Sequence, residues 1–200
     1  MMARASGRLL AEHLPSLADD SFADQAVIVI AFDRVFDAPV ESVWEWLIDP
    51  VRTTHWYGWW RETGEEGALE LMTIAGPGAR RVDIQLVECD PGRLLRLKFV
   101  HGKMSWFASL TLDSDPTTAD APTTLTCVQS FGSAEVLERI GPAWDYYLDR
   151  LVAAHSGNDV DTLQFEPDYY PNLVPHYQGL VREAIADAHA MRDHRLDDAL

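Results

Sequence analysis

Residues 55–60 read His-Trp-Tyr-Gly-Trp-Trp, the densest stretch of large rings in the chain. Rings so spaced offer a stacking platform or an apolar lining, with an imidazole and a phenol as polar handles. In an extended segment Trp59 and Trp60 point to opposite faces, so one of the pair faces an interior and the other does not. Other chemistry is thinly supplied. A general acid–base pair would have to come from His55, His101, Asp33 or Glu135, and no spacing selects among them. The chain has no Gly-x-Ser-x-Gly motif and no cysteine with a recognisable histidine partner. His189 and Asp193 are four apart on a helical pattern with His194 beside them, too few ligands for a metal site. Cys89 and Cys127 stand far apart and read as small buried hydrophobes. Gly76-Pro77-Gly78 is a turn, not a phosphate loop. No catalytic residue is assigned, and no metal or cofactor is expected.

The elements that must hold these rings are marked by hydrophobic period. The stretch 26–36, AVIVIAFDRVF, is a strand with both faces largely apolar, as inside a sheet. Val40, Val43, Trp44 and Leu47 form one helical stripe. Pro39 opens that helix, Asp37 or Ala38 caps it, and Pro50 closes it. Residues 51–56 suit a second short helix. Five strand candidates follow, at 59–74, 80–88, 93–100, 104–112 and 123–131, separated by Gly- and Pro-bearing turns. Their short connections imply an antiparallel meander. The stretch 133–157 reads as a long amphipathic helix with Ser133 as cap. Its apolar stripe is Leu137, Ile140, Trp144, Tyr147, Leu148 and Leu151; Asp145 and Asp149 belong to the water-facing side. Gly141-Pro142 predicts a kink or break. A short helix is expected over Arg8–Leu14, and a final one from about His176. Between the last two helices, the aromatic segment around Phe165, Tyr169 and Tyr170 is expected to pack on the domain.

Composition narrows the partners. The net charge of −16 argues against a nucleic-acid surface, which needs clustered cations, and against docking on anionic lipid. No apolar run is long enough to span a bilayer and no signal-peptide core is present, so a cytoplasmic location is expected.

The order strand, short helices, antiparallel strands, long helix is that of a helix-grip fold, with a curved sheet wrapped around the last helix. VFDAPVESVWEWLIDPVRTTHW resembles the opening signature of the SRPBCC, or START-like, superfamily. More narrowly it resembles the bacterial branch related to heat-shock-protein ATPase activators. CDPGRLLRLKF is similar to the middle turn and strand of that branch, GPAWDYYLDRLVAAHSG to its closing helix, and DYYPNLVPHYQGL to its tail. The likeness spans about residues 25–180. Gln129 stands where the family often has a histidine, so a role for that imidazole is not carried over. The resemblance implies an N-terminal extension over 1–25, a START-like α+β domain over 26–157 and a C-terminal appendage over 158–200, its helix packed on the domain. It also implies an internal cavity with Trp56 at its mouth and Tyr57 capping its rim. The candidate ligand-binding residues are Trp56, Trp59, Phe99, Trp106, Gln129, Trp144 and Tyr147, with Leu110, Leu125 and Cys127 also inward. Tyr147 and Gln129 would orient a ligand by hydrogen bonding. The expected partner is a small hydrophobic or aromatic molecule. Two alternatives remain, a protein-interaction module like a co-chaperone and an enzyme acting on an aromatic or polyketide-like ligand.

Overall fold

The computed structural model describes residues 3–10, 28–73, 80–101, 104–118, 121–131 and 134–197. The turns at Gly76-Pro77-Gly78 and His101-Gly102-Lys103, the Ser133 cap and the side chains of His101, Glu135, His189, Asp193 and His194 lie outside the described residues.

Eight strands form one antiparallel sheet in the order β1-β2-β8-β7-β6-β5-β4-β3. They are β1 (Arg8–Leu9), β2 (Ile28–Phe36), β3 (Gly58–Glu62), β4 (Ala68–Thr73), β5 (Arg81–Asp90), β6 (Leu94–His101), β7 (Met104–Asp113) and β8 (Thr123–Phe131). Strands β3 to β8 pair in sequence order, the expected meander. Strand β2 closes against β8, with Phe32 opposite Cys127 and Ile30 opposite Gln129. The turn between β5 and β6 needs Gly92, whose φ of +76° few other residues adopt at low cost.

Helix α1 (Val40–Ile48) buries Val43, Trp44 and Leu47, the stripe its spacing predicts. Pro39 itself takes the cap position, so neither Asp37 nor Ala38 serves there. Helix α2 (Pro50–Thr53) starts at once, because the Asp49 carboxylate accepts from the Val51 and Arg52 amides at 2.7 and 3.3 Å. The long helix α3 (Ala134–His155) lies in the concavity of the sheet, with Leu137, Leu148 and Leu151 fully buried. This is an α+β helix-grip fold, an unclosed curved sheet with helices at its C-terminal end.

Four further expectations change. Arg8–Leu9 is an edge strand on β2 rather than helix, and the Leu10 amide continues the pairing to Val29 O at 3.0 Å; the rest of that segment, 11–14, lies outside the described residues. Helix α3 runs unbroken through Pro142. Gly141 instead provides close approach, because a Cβ there would sit 2.4 Å from the ring of Tyr177. Tyr177 belongs to α4 (Val174–Asp197), which packs along α3.

The third change concerns Asp145 and Asp149, of which the first is buried and the second only partly exposed. Asp145 is fully buried and binds the Arg34 guanidinium at 3.0 Å, the Ser6 amide at 3.2 Å and the Tyr177 hydroxyl. Asp149 accepts from Arg34 Nε and from the Tyr169 hydroxyl, each at 2.8 Å. Segments from both ends of the chain cover this side of α3, and the carboxylates are what they bond to. The fourth is Cys89, which is exposed, while Cys127 is buried.

Candidate functional site

The inner face of the sheet and the underside of α1 enclose a cavity of about 440 Å³. Volumes of about 300–1,000 Å³ are usual for small-molecule sites. Strand alternation builds the wall: Leu69 and Leu71 come from β4, Ile84 and Leu86 from β5, and Leu95, Leu97 and Phe99 from β6. Helix α1 contributes Trp44, Leu47 and Ile48; α3 contributes Trp144. The mouth lies among residues that are both on the wall and exposed to solvent: Ile48, Glu62, Cys89 and Pro91.

The residues of the HWYGWW stretch divide by position. Trp56 is buried in the wall, and its indole N–H donates to Trp46 O at 3.0 Å. Behind it, His55 O accepts from the buried Arg150 guanidinium at 3.0 Å, which ties this loop to α3. Tyr57 does not cap the rim. Its ring stacks against Trp56 at 5.3 Å and Trp144 at 5.6 Å, and meets Tyr147 edge-on at 4.7 Å. Burial pushes its phenol well above the ordinary tyrosine value, with Tyr147 and Cys127 adding to the shift. No hydrogen bond to the Tyr57 hydroxyl is formed by any described residue, although the ring lies on the cavity wall. The register of β3 on β4 decides between the two remaining tryptophans. Trp60, opposite Leu71, lines the cavity; Trp59, opposite Met72, is 38% exposed on the other face.

Of the residues named from sequence, Trp56, Phe99 and Trp144 meet on the cavity wall. Trp59 does not, for the reason of register just given. Trp106 stands behind the wall, stacked on Phe99 at 5.6 Å and nearly parallel to it. Gln129 is buried and its side-chain oxygen accepts from the Trp144 indole, so it positions a wall residue rather than facing the cavity. Tyr147 is buried beside Tyr57, hydrogen-bonded to Thr73, and burial raises its phenol to about 12. Leu110 is on the wall; Leu125 and Cys127 are fully buried in the core behind it. Glu62 and the leucines of β4 to β6 escaped sequence reasoning, Trp60 was left open against Trp59, and Tyr57 was placed at the rim instead of on the wall. The alternation Leu95-Leu97-Phe99 carried a signal, since Phe99 had been placed inward. The inward place of Tyr57 carried none, because the α3 rings it packs on, Trp144 and Tyr147, are far away in sequence.

The site offers shape and apolar surface, with few polar groups. Two of the wall indoles, Trp56 and Trp144, spend their N–H groups inside the protein. Thr53 donates its hydroxyl to Pro50 O at 3.2 Å. No group of three potential metal ligands occurs among the described residues.

No protein-family model matches the sequence, and no curated protein matches it. Solved structures do match. CalU16 from Micromonospora echinospora, in its solution structure, superposes with a TM-score of 0.60 at 20% identity, over 88% of this chain and 100% of that one. Its crystal structure gives 0.55 at 22% identity, over 80% and 88% of the two chains. DynU16, a protein of the dynemicin biosynthetic locus, gives 0.54 at 24% identity over 66% of this chain and 49% of its own. A Bordetella parapertussis protein, BPP1335, gives 0.55 at 19% identity over 90% and 93%. The shared feature is the fold.

Proposed function

We propose that this protein binds a small hydrophobic or aromatic molecule in the cavity between sheet and helices, with no catalysis required. The observation that carries this reading is the cavity itself, a space of about 440 Å³ with a leucine- and tryptophan-rich wall. A site lined this way favours ligands by apolar burial, at roughly 25 cal/mol per Å² removed from water. The Tyr57 hydroxyl supports the same reading, as a donor with no protein partner among the described residues. DynU16 belongs to a biosynthetic locus, which supports a biosynthetic small molecule as the kind of ligand. The motifs shared with ATPase activator homologues support a place in that bacterial branch of START-like proteins. An open interior favours ligand binding over a co-chaperone-like role, since a domain acting only through its surface has no need of it. No helix among the described residues is long and apolar enough to cross a membrane, and we place the protein in the cytoplasm.

A thermal-shift screen of polycyclic aromatics, flavonoids and fatty acids tests the reading. Binding to the native state at a hundredfold excess over Kd adds about 2.7 kcal/mol, which moves the midpoint by roughly 5–10 °C for a domain of this size. Leu97→Trp replaces an aliphatic wall side chain with a bulkier indole and should abolish the shift while the variant still melts cooperatively. Shifts that persist in Leu97→Trp, or a broad apolar panel that moves nothing, would end the binding proposal.

A further inference from the structure

We infer that the cavity selects ligands by charge: it takes an apolar molecule whose emerging end carries a protonated amine, and it rejects the matching carboxylate. This rests on the binding reading above. The deciding residue is Glu62. Along β3 the side chains alternate, so Trp60 and Glu62 share the inner face while Arg61 points outward to Glu70 at 3.0 Å. Register agrees: Glu62 stands opposite Leu69, and Leu69 opposite Ile84, all three on the cavity wall. Glu62 is exposed, at the mouth, and its side chain has no hydrogen-bond or ion-pair partner among the described residues.

Glu65 and Glu66, close to Glu62 in sequence, are not on the cavity wall, and four other acids near the mouth are already engaged. Asp90 pairs with Arg93 at 2.5 Å, Glu88 with Arg96 at 2.7 Å and Glu45 with Arg52 at 2.8 Å, and Asp49 caps α2. Among the described residues, no lysine, arginine or histidine lines the cavity. An amine at the mouth would therefore meet a free carboxylate with the Trp60 ring beside it, an arrangement suited to ammonium. A carboxylate would enter a wall with no cation and approach Glu62, which costs twice, through desolvation and like-charge repulsion. Edge strands also carry inward charges simply to prevent strand pairing between molecules, and β3 is an edge strand. That competing role makes no prediction about ligand charge.

The test uses three fluorescent probes with one apolar body: pyrenemethylamine, pyrenemethanol and pyrenecarboxylate, titrated at neutral pH and low salt. The amine should bind about three- to fivefold tighter than the alcohol, the range an exposed ion pair reaches. The carboxylate should bind at least about tenfold more weakly than the alcohol. Glu62→Gln should bring the amine-to-alcohol ratio to about one, and Glu62→Lys should invert the order of amine and carboxylate. Glu65→Gln, which removes a nearby exposed charge not on the wall, should leave the ratio as in the parent. If the alcohol binds but the amine gains nothing, or if Glu65→Gln erases the ratio as fully as Glu62→Gln, the charge selection is overturned and the binding reading stands. If none of the three binds, both fall together.

Discussion

Arg34 brings a charge into contact with two carboxylates of α3, and the environment treats the partners differently. Its own side chain is mostly buried, a loss that Asp149 and Asp145 outweigh, so the guanidinium is held above its usual value. For Asp149 burial prevails over Arg34, and the carboxyl sits above the ordinary aspartate range. Removing Asp145 leaves Arg34 with Asp149 alone and strips the Ser6 amide and the Tyr177 hydroxyl of their acceptor, at a cost of about 3–5 kcal/mol. Asp145→Ala should lose that much in urea melts. Arg8→Ala, which breaks the half-exposed pair to Asp33, should lose no more than about 1 kcal/mol. Equal losses would show that the buried network contributes nothing special. A second residue-scale prediction concerns His155, which meets Ser42 Oγ at 3.1 Å and the edge of the Phe36 ring at 5.2 Å. Burial, and then Arg52, lowers its pKa below the ordinary 6.5. The unfolded chain therefore takes up this proton first as pH falls. The stability held by neutral His155 is present above 6.5 and is lost as pH drops through that value toward the folded pKa. His155→Gln should flatten that part of the stability profile; an unchanged slope between parent and variant would contradict it.

Between elements, α4 approaches α3 closely at Gly141. An exposed helical glycine usually gains up to about 1 kcal/mol when changed to alanine. Here the added Cβ would meet the Tyr177 ring at 2.4 Å, and overpacking costs about 1–3 kcal/mol, so the sign should reverse. Gly141→Ala should destabilise, and limited proteolysis should cut faster beyond Gly157. In a Tyr177→Ala background the same change should become stabilising, because the ring that opposes it is gone. Destabilisation of equal size in both backgrounds would mean that the glycine serves the helix and not the docking. This seat was visible in sequence only as a helix breaker. The meander, the Trp44 stripe of α1 and the Leu137–Leu151 stripe of α3 were legible because each is written in a local period. Asp145 and Asp149 were not, since Ser6 lies 139 positions from its partner Asp145 and Tyr169 bonds to Asp149 from the far side of a turn. The pair Trp59 and Trp60 shows the boundary between the two cases. Alternation fixed that one ring faces inward, and only the pairing of β3 with β4 says which.

At the scale of the whole molecule, charge opposes compactness. The chain carries 32 acidic against 16 basic residues. Its buried ion pairs are screened little by salt, whereas the excess surface carboxylates repel one another across water. Raising sodium chloride from about 0.01 M to about 1 M shortens the screening length from roughly 30 Å to 3 Å. The melting midpoint should therefore rise with chloride concentration. Chloride is the right anion for the test, because sulfate would also strengthen apolar burial. The same salt series should weaken the amine probe at Glu62 while leaving the alcohol probe little changed, since only the first interaction is between charges. A midpoint that stays level or falls with salt would mean that the acidic residues are arranged mainly in favourable pairs, as Asp90 and Arg93 are, and that the net charge of −16 places no burden on the fold.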